Sequence, residues 1–266
     1  MKMLAAQAAA LWHARSLCWT LTRREISARY AGTALGVLWA YAQPLLTMAA
    51  YYLVFDVVFA MRLGAGAPTH AVGTYLIVGM LPWMAFGDAL ARGMTSLLEA
   101  ASVLQKNALP PMLFPVRAVL ASSVIYAPLL LLLVLAYAPL HRFAPALIAL
   151  PALVLLQVVL CMLWGAVLAI LAAALRDVAQ LVTFALSLGI FLSPVLFPAH
   201  LFPETWRWAL WLNPMTPWVS SYQGVLLQGA WTPLSHWIGM ACWLIGGALL
   251  LQVLLVRSRD QLTDWL

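Results

Sequence analysis

Between Arg142 and Arg176 the chain carries no charged side chain, and the apolar sequence resumes at Val178. A helix needs about 20 predominantly apolar residues to cross a bilayer. The run therefore supplies one span over Ala146–Leu175 and another over Val178–Phe197, with only Arg176 and Asp177 to turn between them. That excludes a water-soluble globule with one core. Composition agrees: 65% of the 266 residues are hydrophobic and 8% are charged, against roughly half and a quarter in soluble domains.

Four more segments qualify, at about Leu35–Met61, Tyr75–Leu98, Leu113–Leu140 and His236–Val256. The expectation is an all-α polytopic membrane protein with six transmembrane helices. Residues 1–33 form a cytoplasmic amphipathic interface helix, and residues 34–266 form the transmembrane domain. A signal peptide in "MKMLAAQAAALW" is disfavoured, because Arg15 interrupts the apolar run and more arginines follow. The net charge of +6 fits a positive-inside bias better than a nucleic-acid surface. With the N-terminus inside, ten basic residues lie on cytoplasmic segments: Lys2, Arg15, Arg23, Arg24, Arg29, Lys106, Arg117, Arg176, Arg257 and Arg259. Three lie outside, Arg62, Arg142 and Arg207, and Arg92 falls within a span. Both termini are thus expected in the cytoplasm. His70, His141, His200 and His236 then fall on the outer side.

Chemistry-bearing motifs are missing. There is no G-x-x-x-x-G-K-[ST], H-E-x-x-H or G-x-S-x-G. Cys18, Cys161 and Cys242 are too scattered for a metal site or a disulfide framework. Asp56 and Asp88 are the carboxylates within spans, and Asp88 precedes Arg92 by one turn. A neutralising pair explains that spacing; a proton relay is the sharper alternative. No enzyme site, metal or bound cofactor is expected.

Three regions suggest mechanism. The stretch "RREISARYAGTALGVLWAYAQPLL", Arg23–Leu46, concentrates charge directly before an apolar run. Glu25 and Arg29 are spaced i,i+4, which supports a helix. Leu17, Trp19, Leu21, Ile26 and Tyr30 do not make one clean apolar face. This end is a basic topology stop or a docking surface formed by Arg23, Arg24, Glu25, Arg29 and Tyr30. The loop "LQKNALPPMLFPVR", Leu104–Arg117, has three prolines that forbid a continuous helix. A short helix ending near Asn107 and a rigid turn at Pro110–Pro111 would make a stiff knob, either a plain turn or a lever carrying Leu104, Gln105, Lys106, Asn107, Leu109 and Pro110. The outer segment Ser193–Pro233 holds six prolines and five tryptophans. It is too apolar for a solvated loop and too broken to span, so a re-entrant pair of short helices is expected.

Two stripes recur at helical spacing. Tyr41, Leu45, Met48, Tyr52, Phe55 and Phe59 share a face of the first span; Gln180, Thr183, Phe184, Ser187 and Phe191 share one of the fifth. Such faces either pack against helices or lipid, or line a path along which sugars slide. Pro44 lies in the inner third of the first span, where a kink would open the cytoplasmic entrance.

Together these residues resemble the membrane subunits of type-2 ABC exporters, more narrowly the O-antigen, capsular polysaccharide and teichoic acid permeases. The likeness rests on "LTRREISARYAGTALGVLWAYAQPLL" (Leu21–Leu46), "QKNALPPMLFP", "RDV" at Arg176–Val178, "SPVLFP" and "LNPMTP", in order along nearly the whole chain. It implies a homodimer in the bacterial inner membrane with two separate ATP-binding cassette subunits, which hold ATP and magnesium. The N-terminal helix and the loop around Lys106–Pro110 would face them. The stripes would line a central channel, and the substrate would be a glycan on a polyprenyl pyrophosphate lipid, moved outward. This sequence departs from the family pattern at Gln105-Lys106, where a basic pair is usual, at Pro110-Pro111, and at Gln223, where an arginine is usual; pyrophosphate contacts there are not implied. A permease of the same class for a drug or small lipid is the runner-up. A membrane acyl- or glycosyltransferase is disfavoured by the lack of a convergent His/Asp/Glu set.

Overall fold

The computed structural model describes residues 2–64, 67, 69–107, 109–258 and 261–265. Arg259, counted above with the inner charges, lies outside them. Among the described residues the chain is helical, apart from one antiparallel bridge between Arg62 and Ala71.

Two helices, α1 (Lys2–His13) and α2 (Arg15–Arg29), precede the bundle. A 3-10 turn at Gly36–Leu38 leads into α3 (Trp39–Tyr52), which ends in a π-helical stretch at Leu53–Val58. Helix α4 (Val72–Glu99) is followed by the short α5 (Ala101–Leu104), then α6 (Leu113–Ala136), α7 (Ala138–His141) and α8 (Ala149–Ala174). Helix α9 (Asp177–Gly189) opens the broken region, α10 (Thr216–Gln223) closes it, and α11 (Leu234–Arg257) and α12 (Leu262–Trp265) complete the chain.

Among the described residues five helical stretches are long and apolar enough to cross a membrane: Gly36–Val58, Val72–Glu99, Leu113–Ala136, Pro145–Ala174 and Leu234–Arg257. The sixth expected span, Val178–Phe197, is not one continuous helix. Its helical part, α9, has 13 residues, about 20 Å against a hydrocarbon core of about 30 Å. Pro194 has no N–H to carry the ladder onward. Its carbonyl instead accepts hydrogen bonds from Tyr75 Oη at 2.7 Å and Gln223 Nε2 at 2.9 Å. The expected third span also ends early, since its last turn separates as α7. Helix α3 runs unbroken through Pro44; the irregular turns of the first span lie at its two ends.

Helix α4 is the hub, buried around most of its surface and packed against α3, α6, α8 and α10. A helix apolar all round belongs in the interior. It meets α8 at Gly93 and Gly165, where a Cβ on Gly93 would stand 3.1 Å from the Gly165 Cα. The N-terminal helices lie on the bundle: α1 against α11, with the Leu4 N–H donating to Gln252 Oε1 at 2.8 Å, and α2 against α6.

Candidate functional site

The two halves of the expected docking surface are rooted in one apolar cluster. Cys18 of α2 shares one apolar cluster with Leu97, Ala100, Leu104, Met112, Leu113 and Phe114 at the α4–α5–α6 turn. Leu104 is the buried anchor of that turn, and Leu109 packs partly against the same cluster. Between them Gln105, Lys106 and Asn107 are exposed. The turn is held locally: Asn107 Nδ2 donates to the Val103 carbonyl at 3.0 Å, and the Leu113 N–H donates to the Pro110 carbonyl at 3.0 Å. Pro110 is half-buried, Arg23 and Arg24 point to solvent, and Tyr30 is half-buried. The turn is thus an anchored, exposed knob, and α2, rooted in the same cluster, presents an exposed basic face.

Arg29 behaves differently. Its side chain is 3% exposed. The guanidinium reaches Asp88 Oδ2 of α4 at 3.3 Å, Ser122 Oγ of α6 at 3.3 Å and the Ala118 carbonyl at 3.2 Å. Glu25 accepts from Arg29 Nε at 3.5 Å and pairs with Arg117 at 3.7 Å. Asp88 binds Arg92 at 2.9 Å, as the i,i+4 spacing suggests, and also accepts from the Ser122 hydroxyl at 2.5 Å. Three arginines thus share two carboxylates across α2, α4 and α6. Burial lowers the Arg29 pKa from its usual value, Asp88 opposes that shift, and Arg92 adds to it. The cluster ties α2 to α4 and α6, and its arginines keep their charge. Sequence reasoning paired Asp88 with Arg92 but missed Arg29, Arg117 and Ser122, which come from other helices. The available signal was the pair Ser122-Ser123, adjacent hydroxyls in a mostly apolar span.

The first aromatic stripe divides. Met48 is buried against Ile77, Leu81, Leu129 and Leu133, with Tyr41 packed beside it. Leu45, Tyr52 and Phe59 are exposed, and Phe55 is half-buried. The π-helical stretch adds a residue to the turn, so the 3.6-residue register does not carry through Leu53–Val58. On α9 and just beyond, Gln180, Thr183, Phe184, Ser187 and Phe191 are all exposed along one side.

The proline-rich segment folds back into the bundle. Asn213 Nδ2 donates to the Gly189 carbonyl at 2.7 Å, and Gly189 lies against the Trp83 ring midway along α4. From there α10 climbs past Gly79, which faces Gln223, to Gly229 beside His141 and Ala144. Gly229 adopts a left-handed φ of 61° that ends the helix. Trp218, Val219 and Tyr222 are buried. Trp218 Nε1 donates to the Leu153 carbonyl at 3.2 Å; Gln157 of α8 accepts from Tyr222 Oη at 3.0 Å and donates to the Pro82 carbonyl at 2.9 Å. The five tryptophans therefore separate: Trp218 is core, while Trp206, Trp208, Trp211 and Trp231 remain exposed. Spacing alone does not reveal that division.

Among the described residues no group of three or more His, Cys, Asp or Glu side chains could hold a metal. The family model described as ABC-2 type transporter matches residues 16–227. An "O-antigen export system permease protein RfbA" of Myxococcus xanthus is 30% identical over 223 residues, covering 82% of this chain and 83% of that protein. A protein of the same name from Klebsiella pneumoniae is 23% identical over 215 residues, 79% of each chain. The matched region takes in α2, the anchored knob, the bundle through α9 and the buried α10, and on that breadth the chain belongs to the ABC-2 type transporter membrane family.

Proposed function

We propose that the chain is the permease subunit of an ATP-driven exporter that moves a lipid-linked, O-antigen-like polysaccharide out of the cytoplasm across the inner membrane. The observation that carries this reading is the match to O-antigen export permeases over about four-fifths of the chain. The exposed Gln105–Asn107 knob, rooted in one cluster with α2, supports it, because an anchored projection and a basic helix on a common base suit docking by a separate ATPase. ATP and magnesium sit on that partner, two copies of which serve a homodimer of this chain. Closure of the ATPases pushes the Leu104–Pro110 turn, and the rigid α4 and α6 beneath it carry the displacement into the bundle.

Both termini lie in the cytoplasm on this reading. Helix α9 and the turns to Phe197 make the sixth crossing, and residues 198–233 form the re-entrant outer segment. Broken backbone at that depth is tolerated because α4, α8 and α11 cover it. The exposed side of α9, with Gln180, Phe184, Ser187 and Phe191, and the outer half of the first stripe, Tyr52, Phe55 and Phe59, line the glycan path.

The test is surface glycan in a strain lacking the chromosomal copy. The wild-type chain restores polymer at the cell surface, and a chain with Gln105–Asn107 replaced by glycines is inserted normally but leaves polymer inside. Surface polymer at wild-type levels from the glycine variant overturns the lever; no restoration by the wild-type chain with its cognate ATPase overturns the substrate.

A further inference from the structure

A cavity of about 270 Å³ opens between the broken segment, α4 and the start of α11, bordered by Tyr75, His200, Ser220, Gln223, Trp231 and His236. Two other cavities have mostly apolar walls, one along α4, α6 and α8 and one beside α9. This one brings amide, hydroxyl, imidazole and indole groups together, and none of its lining residues is Lys, Arg, Asp or Glu. Arg207 of the same segment donates to the carbonyl of His200, a lining residue, at 3.3 Å and to that of Phe202 at 3.4 Å, and it pairs with Glu204 at 3.7 Å.

The protein's own hydrogen bonds fix how the polar groups present themselves. Gln223 Nε2 donates to the Pro194 carbonyl at 2.9 Å. That orients the amide and leaves Oε1 as an unused acceptor. The Ser221 hydroxyl donates its one hydrogen to the Pro217 carbonyl at 2.6 Å, while His236 Nδ1 lies 3.2 Å from the same oxygen. With the hydroxyl hydrogen assigned to the shorter contact, Nδ1 is the donor to Ser221, and in the neutral ring Nε2 is left as an acceptor. Ser220 adds a hydroxyl, and Trp231, 63% exposed, adds an indole face at the rim. A cavity with acceptors ready, no fixed charge and an aromatic face suits a ligand rich in hydroxyl donors with an apolar ring face. Its size, just below the ~300–1,000 Å³ of drug-sized sites, suits one ring.

We propose that this cavity is a carbohydrate subsite that seats a single uncharged sugar ring, with Gln223 Oε1, His236 Nε2 and Ser220 Oγ accepting from its hydroxyls and Trp231 covering one face. The proposal rests on the export reading, on which the cavity lies near the outer surface and holds a residue of the emerging glycan, hindering its backward slip. A phospholipid headgroup or pyrophosphate would need a free cation; none of the lining residues is one, and Arg207, bonded to His200, is paired with Glu204.

The test is saturation-transfer NMR on the full-length permease in nanodiscs, with the methyl glycosides of glucose, galactose, mannose and rhamnose as probes and inorganic pyrophosphate as the control anion. At least one glycoside should give a saturable signal that Ser220→Phe, which fills the cavity, and Trp231→Ala each weaken at least fivefold, with the wild-type melting temperature retained. Equal signals in wild type and both variants, no signal from any glycoside, or binding of pyrophosphate alone overturns the subsite. Surface glycan in the complemented strain is scored in parallel. Normal export without glycoside binding removes the subsite and leaves the export reading standing; glycoside binding without export does the reverse.

Discussion

Arg29, at the end of the second N-terminal helix, sets its guanidinium 3.3 Å from the Asp88 carboxylate near the middle of α4. The helix next to the membrane domain is thus tied to the hub by charge as well as by apolar packing. Removing one member of a buried pair leaves the other uncompensated.

Arg29→Met is expected to destabilise the solubilised protein by about 2–4 kcal/mol, toward the lower part of the range for buried pairs because Arg92 still neutralises Asp88. Asp88→Leu should cost at least as much, since it leaves Arg29 and Arg92 facing each other. The double substitution should recover much of the loss. Thermal unfolding in detergent checks this, and additive losses would argue against direct coupling.

The Gln157–Tyr222 pair holds α10 to α8. Tyr222→Phe strands Gln157 Oε1, and Gln157→Leu strands the Tyr222 hydroxyl, each at about 1–3 kcal/mol. Tyr222→Phe with Gln157→Leu should cost less than the two losses added. A double-mutant cycle on melting temperature measures the difference.

Gly93 and Gly165 set how closely α4 and α8 approach. Gly93→Val should cost about 1–3 kcal/mol, because its Cβ meets backbone at 3.1 Å and no flexible side chain can yield. Gly87→Ala on the same helix has open space and should be neutral within about 0.5 kcal/mol. Paired melting curves test the contrast.

Lys106→Ala should leave stability within about 0.5 kcal/mol of wild type, because the side chain is exposed and the neighbouring Leu104 carries the packing. On the proposed function it should nevertheless reduce the stimulation of a co-purified ATPase several-fold. A large drop in melting temperature would place Lys106 in the structure instead.

The thiols should separate by reactivity. Cys242 is exposed, whereas Cys18 and Cys161 are buried. Burial pushes the Cys18 thiol above its ordinary pKa, with the Thr22 hydrogen bond opposing. At neutral pH in detergent, N-ethylmaleimide should label Cys242 first. Labelling of Cys18 should lag as pH rises through the ordinary thiol range, because its thiolate forms later. Mass spectrometry of quenched samples reads both rates, and equal labelling of Cys18 and Cys242 would contradict the packing of α2.

The sequence by itself determined the helical class, the positions of five spans, the break at Pro110–Pro111 and the i,i+4 pairs Glu25–Arg29 and Asp88–Arg92. Each follows from local physics: apolar length, the missing N–H of proline and the 3.6-residue turn. It did not show that α9 stops at Gly189, that Met48 and Phe59 of one stripe have opposite fates, or that Arg29 is buried. Those outcomes depend on partners far along the chain. Tyr75 and Gln223 take up the Pro194 carbonyl, a π-helical stretch shifts the register after Tyr52, and Asp88 and Ser122 draw in Arg29. Only the tertiary structure decided them, because a buried polar group must find its partner in space, and spacing along one helix says nothing of what another helix brings beside it.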